Sequence, residues 1–132
     1  MKFSEKVKSL RKEKGLSQEA LAEIINVSKR TVQNYETADM YPKSREIYGK
    51  LATAFGVDVN YLLTEEEKFV AEATWRYGKS GETDARELVG NISALFAGGS
   101  LPEEDKDAVM RAITDAYWEA KENNKKYASK RK

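Results

Sequence analysis

Apolar residues recur at helical spacing through almost the whole chain, and most of these runs are headed by a residue that caps helices. Phe3, Val7 and Leu10 fall at i, i+4 and i+7, and Gly15 closes that run. Ser17 stands before Ala20, Leu21, Ile24 and Ile25, and Asn26, which tolerates the left-handed conformation, sits where that helix must turn. Ser28 heads a third helix running to about Glu36, with Val32 and Tyr35 facing inward. After a loop holding Asp39 and Pro42, Ser44 heads Ile47, Leu51, Ala54 and Phe55, and Gly56 ends that helix. Asp58 heads a short fifth helix with Val59, Leu62 and Leu63. Thr64 and Glu67 form a capping box ahead of Phe69, Val70, Ala73 and Tyr77. The Gly78-Lys79-Ser80-Gly81 stretch is the clearest break in the second half. Ala85, Leu88, Val89, Ile92, Leu95 and Phe96 follow as an amphipathic series stopped by Gly98-Gly99. Ser100 with Glu103 repeats the capping box before Val109, Ile113, Ala116, Tyr117 and Ala120. No run alternates convincingly with period two, so the predicted fold is all-α.

Composition then excludes whole classes of function. The 132 residues contain no His and no Cys, which rules out a disulfide, a Cys/His zinc site, a Ser-His-Asp triad and a thiol nucleophile. An apolar content of 40% is too high for a disordered chain. No segment approaches the ~18–20 apolar residues that span a bilayer. The first residues soon meet the charges of Arg11, Lys12, Glu13 and Lys14, which a signal peptide would not. A cytoplasmic protein without cofactor or metal is expected.

The most informative stretch runs from Gln18 to Glu36. Two short helices meet across a few turn residues, the small Ala22 sits where they must approach closely, and Val27 and Val32 fill the space between them. This is helix-turn-helix grammar. The second of the two helices offers Lys29, Arg30, Gln33 and Asn34 on its outer side, residue types that pair with base edges in the major groove.

Residues from about Phe3 to Leu63 resemble the DNA-binding domain of the XRE family, the phage Cro and repressor type of five-helix, lambda-repressor-like domain. The resemblance rests on Leu16-Ser17-Gln18, Leu21-Ala22, Val27-Ser28, Val32, Tyr35-Glu36, Leu51-Ala52, Ala54-Phe55-Gly56-Val57 and Tyr61-Leu62-Leu63. Asn26 stands where the family usually has Gly, and Tyr35 where Trp is frequent. Carried over by position, the resemblance implies that Lys29, Arg30, Gln33 and Asn34 read bases. It also implies backbone contacts at Gln18, at Thr31, at Lys43, Ser44 and Arg45 where the fourth helix opens, and at Arg11. Plainer roles stand beside these: Gln18 as a helix-start residue, Thr31 as a space filler, Lys43 and Arg45 as loop solubility, Glu36 as an internal ion-pair partner.

The reading divides the chain at 64/65. Residues 1–64 form the DNA-binding domain. Residues 65–132 form a region of two or three amphipathic helices, expected to dimerise and to end in a basic tail. Trp118 falls outside the stripe of Val109, Ile113 and Tyr117, and Trp75 outside that of Phe69 and Ala73, so both are candidates for oligomer contact. The alternatives are half-exposed rings, with Trp118 covered by Arg111, or a ligand pocket lined by Trp75, Tyr77 and Tyr117.

The expected function is sequence-specific DNA binding by a homodimeric repressor on a palindromic operator. The competing readings are an antitoxin-type autoregulator with a toxin partner and an interaction protein that has lost DNA binding. An enzyme is not expected. The self-cleaving repressors add a mostly β protease with a Ser-Lys pair, whereas Ser80, Ser93, Ser100 and Ser129 here have no strand context. The overall charge of +1 hides a partition. Residues 1–64 hold 11 basic and 8 acidic groups, residues 65–120 hold 6 and 13, and residues 121–132 hold 6 and 1. A basic head and tail flank an acidic body.

Overall fold

The computed structural model describes residues 1–99 and 101–130. It contains seven helices, and no strand among the described residues: α1 (Phe3–Glu13), α2 (Gln18–Ile25), α3 (Lys29–Thr37), α4 (Arg45–Phe55), α5 (Val59–Leu62), α6 (Glu65–Ala97) and α7 (Glu103–Lys130). The starts lie where the cap residues put them. Ser17 Oγ accepts from the Ala20 N–H at 3.0 Å, Ser28 Oγ from Thr31 at 3.1 Å and Ser44 Oγ from Ile47 at 3.2 Å. Asp58 Oδ1 accepts from the Asn60 N–H at 2.8 Å. The Thr64–Glu67 box is reciprocal, with N–H to side-chain distances of 3.0 and 3.1 Å. Each cap satisfies an amide that the helix leaves orphaned, which contributes about 1 kcal/mol. Ser100 and the last two residues of the basic tail lie outside the described residues.

The chain divides into two compact units, Met1–Arg86 and Glu87–Lys132. The expected join at 64/65 falls inside the first, because residues 65–86 fold back onto the five helices before them. α2 packs on α3 and α4, and α1 packs on α3 and α5. Phe3, Leu21, Ile25, Val32, Leu51 and Leu62 are fully buried between them. The Phe3 N–H then donates to Glu67 Oε2 at 2.9 Å, and Trp75 Nε1–H to the Pro42 carbonyl at 2.7 Å. Arg86 donates to the Asp39 carbonyl at 2.9 Å and lies 5.0 Å from the centre of the Tyr41 ring.

The Gly78-to-Gly81 break is what lets α6 double back. Gly78 takes φ 70°, ψ −153°, a conformation open in practice to glycine alone. At Gly81 a Cβ would sit 2.5 Å from the Ala73 carbonyl oxygen, so the two arms of α6 meet backbone to backbone.

The second unit is built more loosely. Among its described side chains Ile92 and Met110 are the buried apolar ones, whereas Leu95 is 78% and Val109 38% exposed. The covered face of α7 runs through Met110, Thr114, Tyr117 and Trp118. It is turned by about one residue from the expected stripe, and Val109, Ala116 and Ala120 remain exposed.

Candidate nucleic-acid interface

α2 ends on Asn26 in the left-handed conformation (φ 59°, ψ 51°), and the Val27 N–H returns to the Ala22 carbonyl at 2.9 Å. That reversal lets Ser28 start α3 at once. Ala22 is 3% exposed and leaves room for the two helices to approach. On α3, Val32 and Tyr35 face the core. Burial pushes the Tyr35 phenol up to about 12.

The opposite side of α3 carries the expected base readers. Lys29 and Arg30 are exposed at its N-terminal turn, and Gln33 and Asn34 are half-buried one turn later. A helix entering the major groove offers its N-terminal residues first. Thr31 is half-buried, and its hydroxyl lies 2.8 Å from that of Ser28, so its side chain braces the cap.

Arg11 does not stand on this surface. Its Nε lies 2.7 Å from Glu36 Oε2, its second guanidinium nitrogen lies 3.1 Å from Oε1, and its third donates to the Leu16 carbonyl at 2.8 Å. Glu36, with 2% of its side chain exposed, raises the Arg11 pKa by accepting that hydrogen bond. The guanidinium is therefore committed to locking α1 to α3. Gln18 joins the same cluster, its amide donating to Glu36 Oε1 at 3.3 Å. This fixes the first residue of α2 against α3.

Trp75 is likewise committed within the chain. Its indole N–H is held by Pro42, and its ring lies 5.6 Å from that of Tyr48. Trp118 is half-buried, edge-on to Tyr117 with ring centres 5.2 Å apart.

At the start of α4, Lys43, Ser44 and Arg45 line an open cavity of about 320 Å³ together with Trp75 and Arg76 of α6. Arg45 pairs with Glu72 at 3.0 Å and lies 5.8 Å from the centre of the Trp75 ring. The same Glu72 oxygen lies 3.7 Å from Arg76. Sequence reading did not single out Glu72 or Arg76. Their link to Arg45 depends on the fold-back of α6, and no local pattern carries it. Among the described residues no cluster of acidic side chains is arranged to hold a metal ion, and no helix is long and apolar enough to cross a membrane.

Comparison with known proteins agrees with this geometry. Residues 7–62 match the helix-turn-helix family. The chain is 27% identical to the immunity repressor protein of Bacillus phage phi105, over 99% of this chain and 95% of that one. It is 39% identical to the cryptic phage CTXphi transcriptional repressor RstR of Vibrio cholerae, over 53% of this chain and 62% of that one. No solved structure gives a significant match. The phi105 alignment covers the C-terminal helices as well as the five-helix bundle, whereas the family match is confined to the bundle. The turn between α2 and α3, the outward polar face of α3 and the family match all lie within the same residues, and the chain carries at its N-terminus a helix-turn-helix domain of the XRE type.

Proposed function

We propose that the protein is a sequence-specific DNA-binding transcriptional repressor that acts as a homodimer on a palindromic operator. The observation that carries this reading is the outer face of α3. Lys29, Arg30, Gln33 and Asn34 stand on a helix whose inner side is locked by Val32, Tyr35 and the Arg11–Glu36 pair. Such a rigid helix presents donors and acceptors at fixed positions, as base readout requires. Gln18, Thr31, Lys43, Ser44 and Arg45 supply backbone contacts that set the register. The repressors to which the chain is similar support the same direction of control.

The homodimer is supported by the second unit, where Leu95, Leu101 and Val109 are exposed large apolar side chains. A second copy would cover them, with Trp118 at the margin of the contact. Two copies related by a two-fold axis would place two recognition helices about one turn of DNA apart, roughly 34 Å.

Selection of bound duplexes from a random pool tests the reading. The expected product is a two-fold symmetric site with half-sites about 10 base pairs apart. Arg30→Ala is expected to abolish the preference for that site. Lys43→Ala should weaken all duplexes alike. A pool that stays random, or a preference intact in Arg30→Ala, would refute the assignment.

A further inference from the structure

We propose that the surface gripping the DNA backbone does not stop at α4 but continues onto α6, where Arg76 contacts a phosphodiester. This rests on the DNA-binding reading above and adds to it a contact from outside the five-helix bundle. The cavity of about 320 Å³ at the start of α4 is lined by Lys43, Ser44 and Arg45 on one side and by Trp75 and Arg76 on the other. Lys43, Arg45 and Arg76 thus line one cavity, and Glu72 lies 3.0 Å from Arg45 and 3.7 Å from Arg76. The N-terminal end of the eleven-residue α4 adds the positive pole of its dipole at the same place.

The site is held in shape before any ligand arrives. The Trp75 ring forms its floor and is fixed by its bond to Pro42. Glu72 accepts from Arg45 at 3.0 Å, and the Arg45 and Arg76 side chains stay 61% and 35% exposed. Guanidiniums set side by side match phosphate oxygens better than ammonium groups do. The cavity is open, not enclosed, which suits a chain of phosphates running across the surface. It also shares Lys43, Ser44 and Arg45 with the expected backbone contacts.

The test is Arg76→Gln in the full-length protein, measured on a random-sequence duplex and on the operator recovered by selection. One lost phosphate contact is expected to weaken both by the same factor, about fivefold per protomer at about 0.15 M salt. The slope of log affinity against log salt should flatten by about 0.9 per protomer. Arg76→Lys should keep most of that slope. The loss must also persist in a Glu72→Gln background, where Arg76 no longer competes with Arg45 for the carboxylate. Unchanged affinity and slope would overturn the proposal, as would a loss confined to the operator or abolished in the Glu72→Gln background. It would equally be overturned if inorganic phosphate protected the protein from heat through Arg76 while duplex affinity ignored that residue. Failure of the unaltered protein to bind any duplex at low salt would instead overturn the DNA-binding reading itself.

Discussion

The two units of this chain finish their cores in different ways. In Met1–Arg86, six helices or parts of helices enclose Phe3, Val7, Leu21, Ile25, Val32, Leu51 and Leu62 without measurable exposure. Ser17, Ser28, Ser44, Asp58 and Thr64 cap helix starts there, and the buried Arg11–Glu36 ion pair is bidentate. In Glu87–Lys132 the end of α6 is joined by the 28-residue α7, yet Leu95 and Val109 remain open to water. Both units carry apolar residues at helical spacing, so periodicity alone does not explain the contrast. The first unit has enough elements in different directions to close around a centre. The second has two helical segments, and two helices bury one face of each and leave another open to water.

The largest effect that tests this contrast is expected from Glu36→Ala. It strands the Arg11 guanidinium in the first unit, and urea unfolding should report a loss of about 3–5 kcal/mol with self-association unchanged. A loss below about 1 kcal/mol would mean that water reaches Arg11 and that the first core is not sealed. Next is Leu95→Glu combined with Val109→Glu, expected to weaken self-association by about 100-fold or more in sedimentation experiments. Unchanged association would remove these positions from the contact. Smaller again is a pair of glycine replacements. Gly81→Ala should destabilise by about 1–3 kcal/mol, because its methyl would overlap the Ala73 carbonyl. Gly90→Ala, with nothing within 4 Å of its Cβ position, should stabilise by about 0.5–1 kcal/mol through the unfolded chain. Opposite signs in thermal melts would confirm that backbone contact is tight in one unit and slack in the other.

What was legible in the sequence was local. Ser17, Ser28, Ser44, Asp58 and the Thr64–Glu67 box each act within three residues of themselves, so a linear reading finds them. Asn26 announced its turn for the same reason. Arg11 was read as an outward cation, because nothing near it in sequence shows that Glu36, 25 residues on, would bury it. The sequence makes Trp75 a candidate for oligomer contact, because its partner Pro42 lies 33 residues before it. On α7 the wheel found a real apolar stripe, but Met110 beside it is the buried residue. Periodicity locates an apolar face and does not say whether the same chain or another molecule covers it. The contacts of Lys29, Arg30, Gln33 and Asn34 with DNA remain the reading that the selection experiment tests.

The bond between the Phe3 amide and Glu67 joins residues 64 apart. Most packing within the bundle is between near neighbours in sequence, so helices α1 to α5 can assemble while the chain is still being made. Their sealing cannot. The amide at the head of the first helix waits for a carboxylate translated some sixty codons later, and until it arrives the start of α1 is tied to the bundle by packing and by Lys6, which donates to the Tyr61 carbonyl at 2.7 Å. At a synthesis rate of about 5–20 residues per second, Glu67 follows the end of α5 within about a second, and the rest of the segment up to Arg86 within about one to five seconds. Each newly made molecule is therefore expected to gain its full grip on DNA only after its own extension has docked.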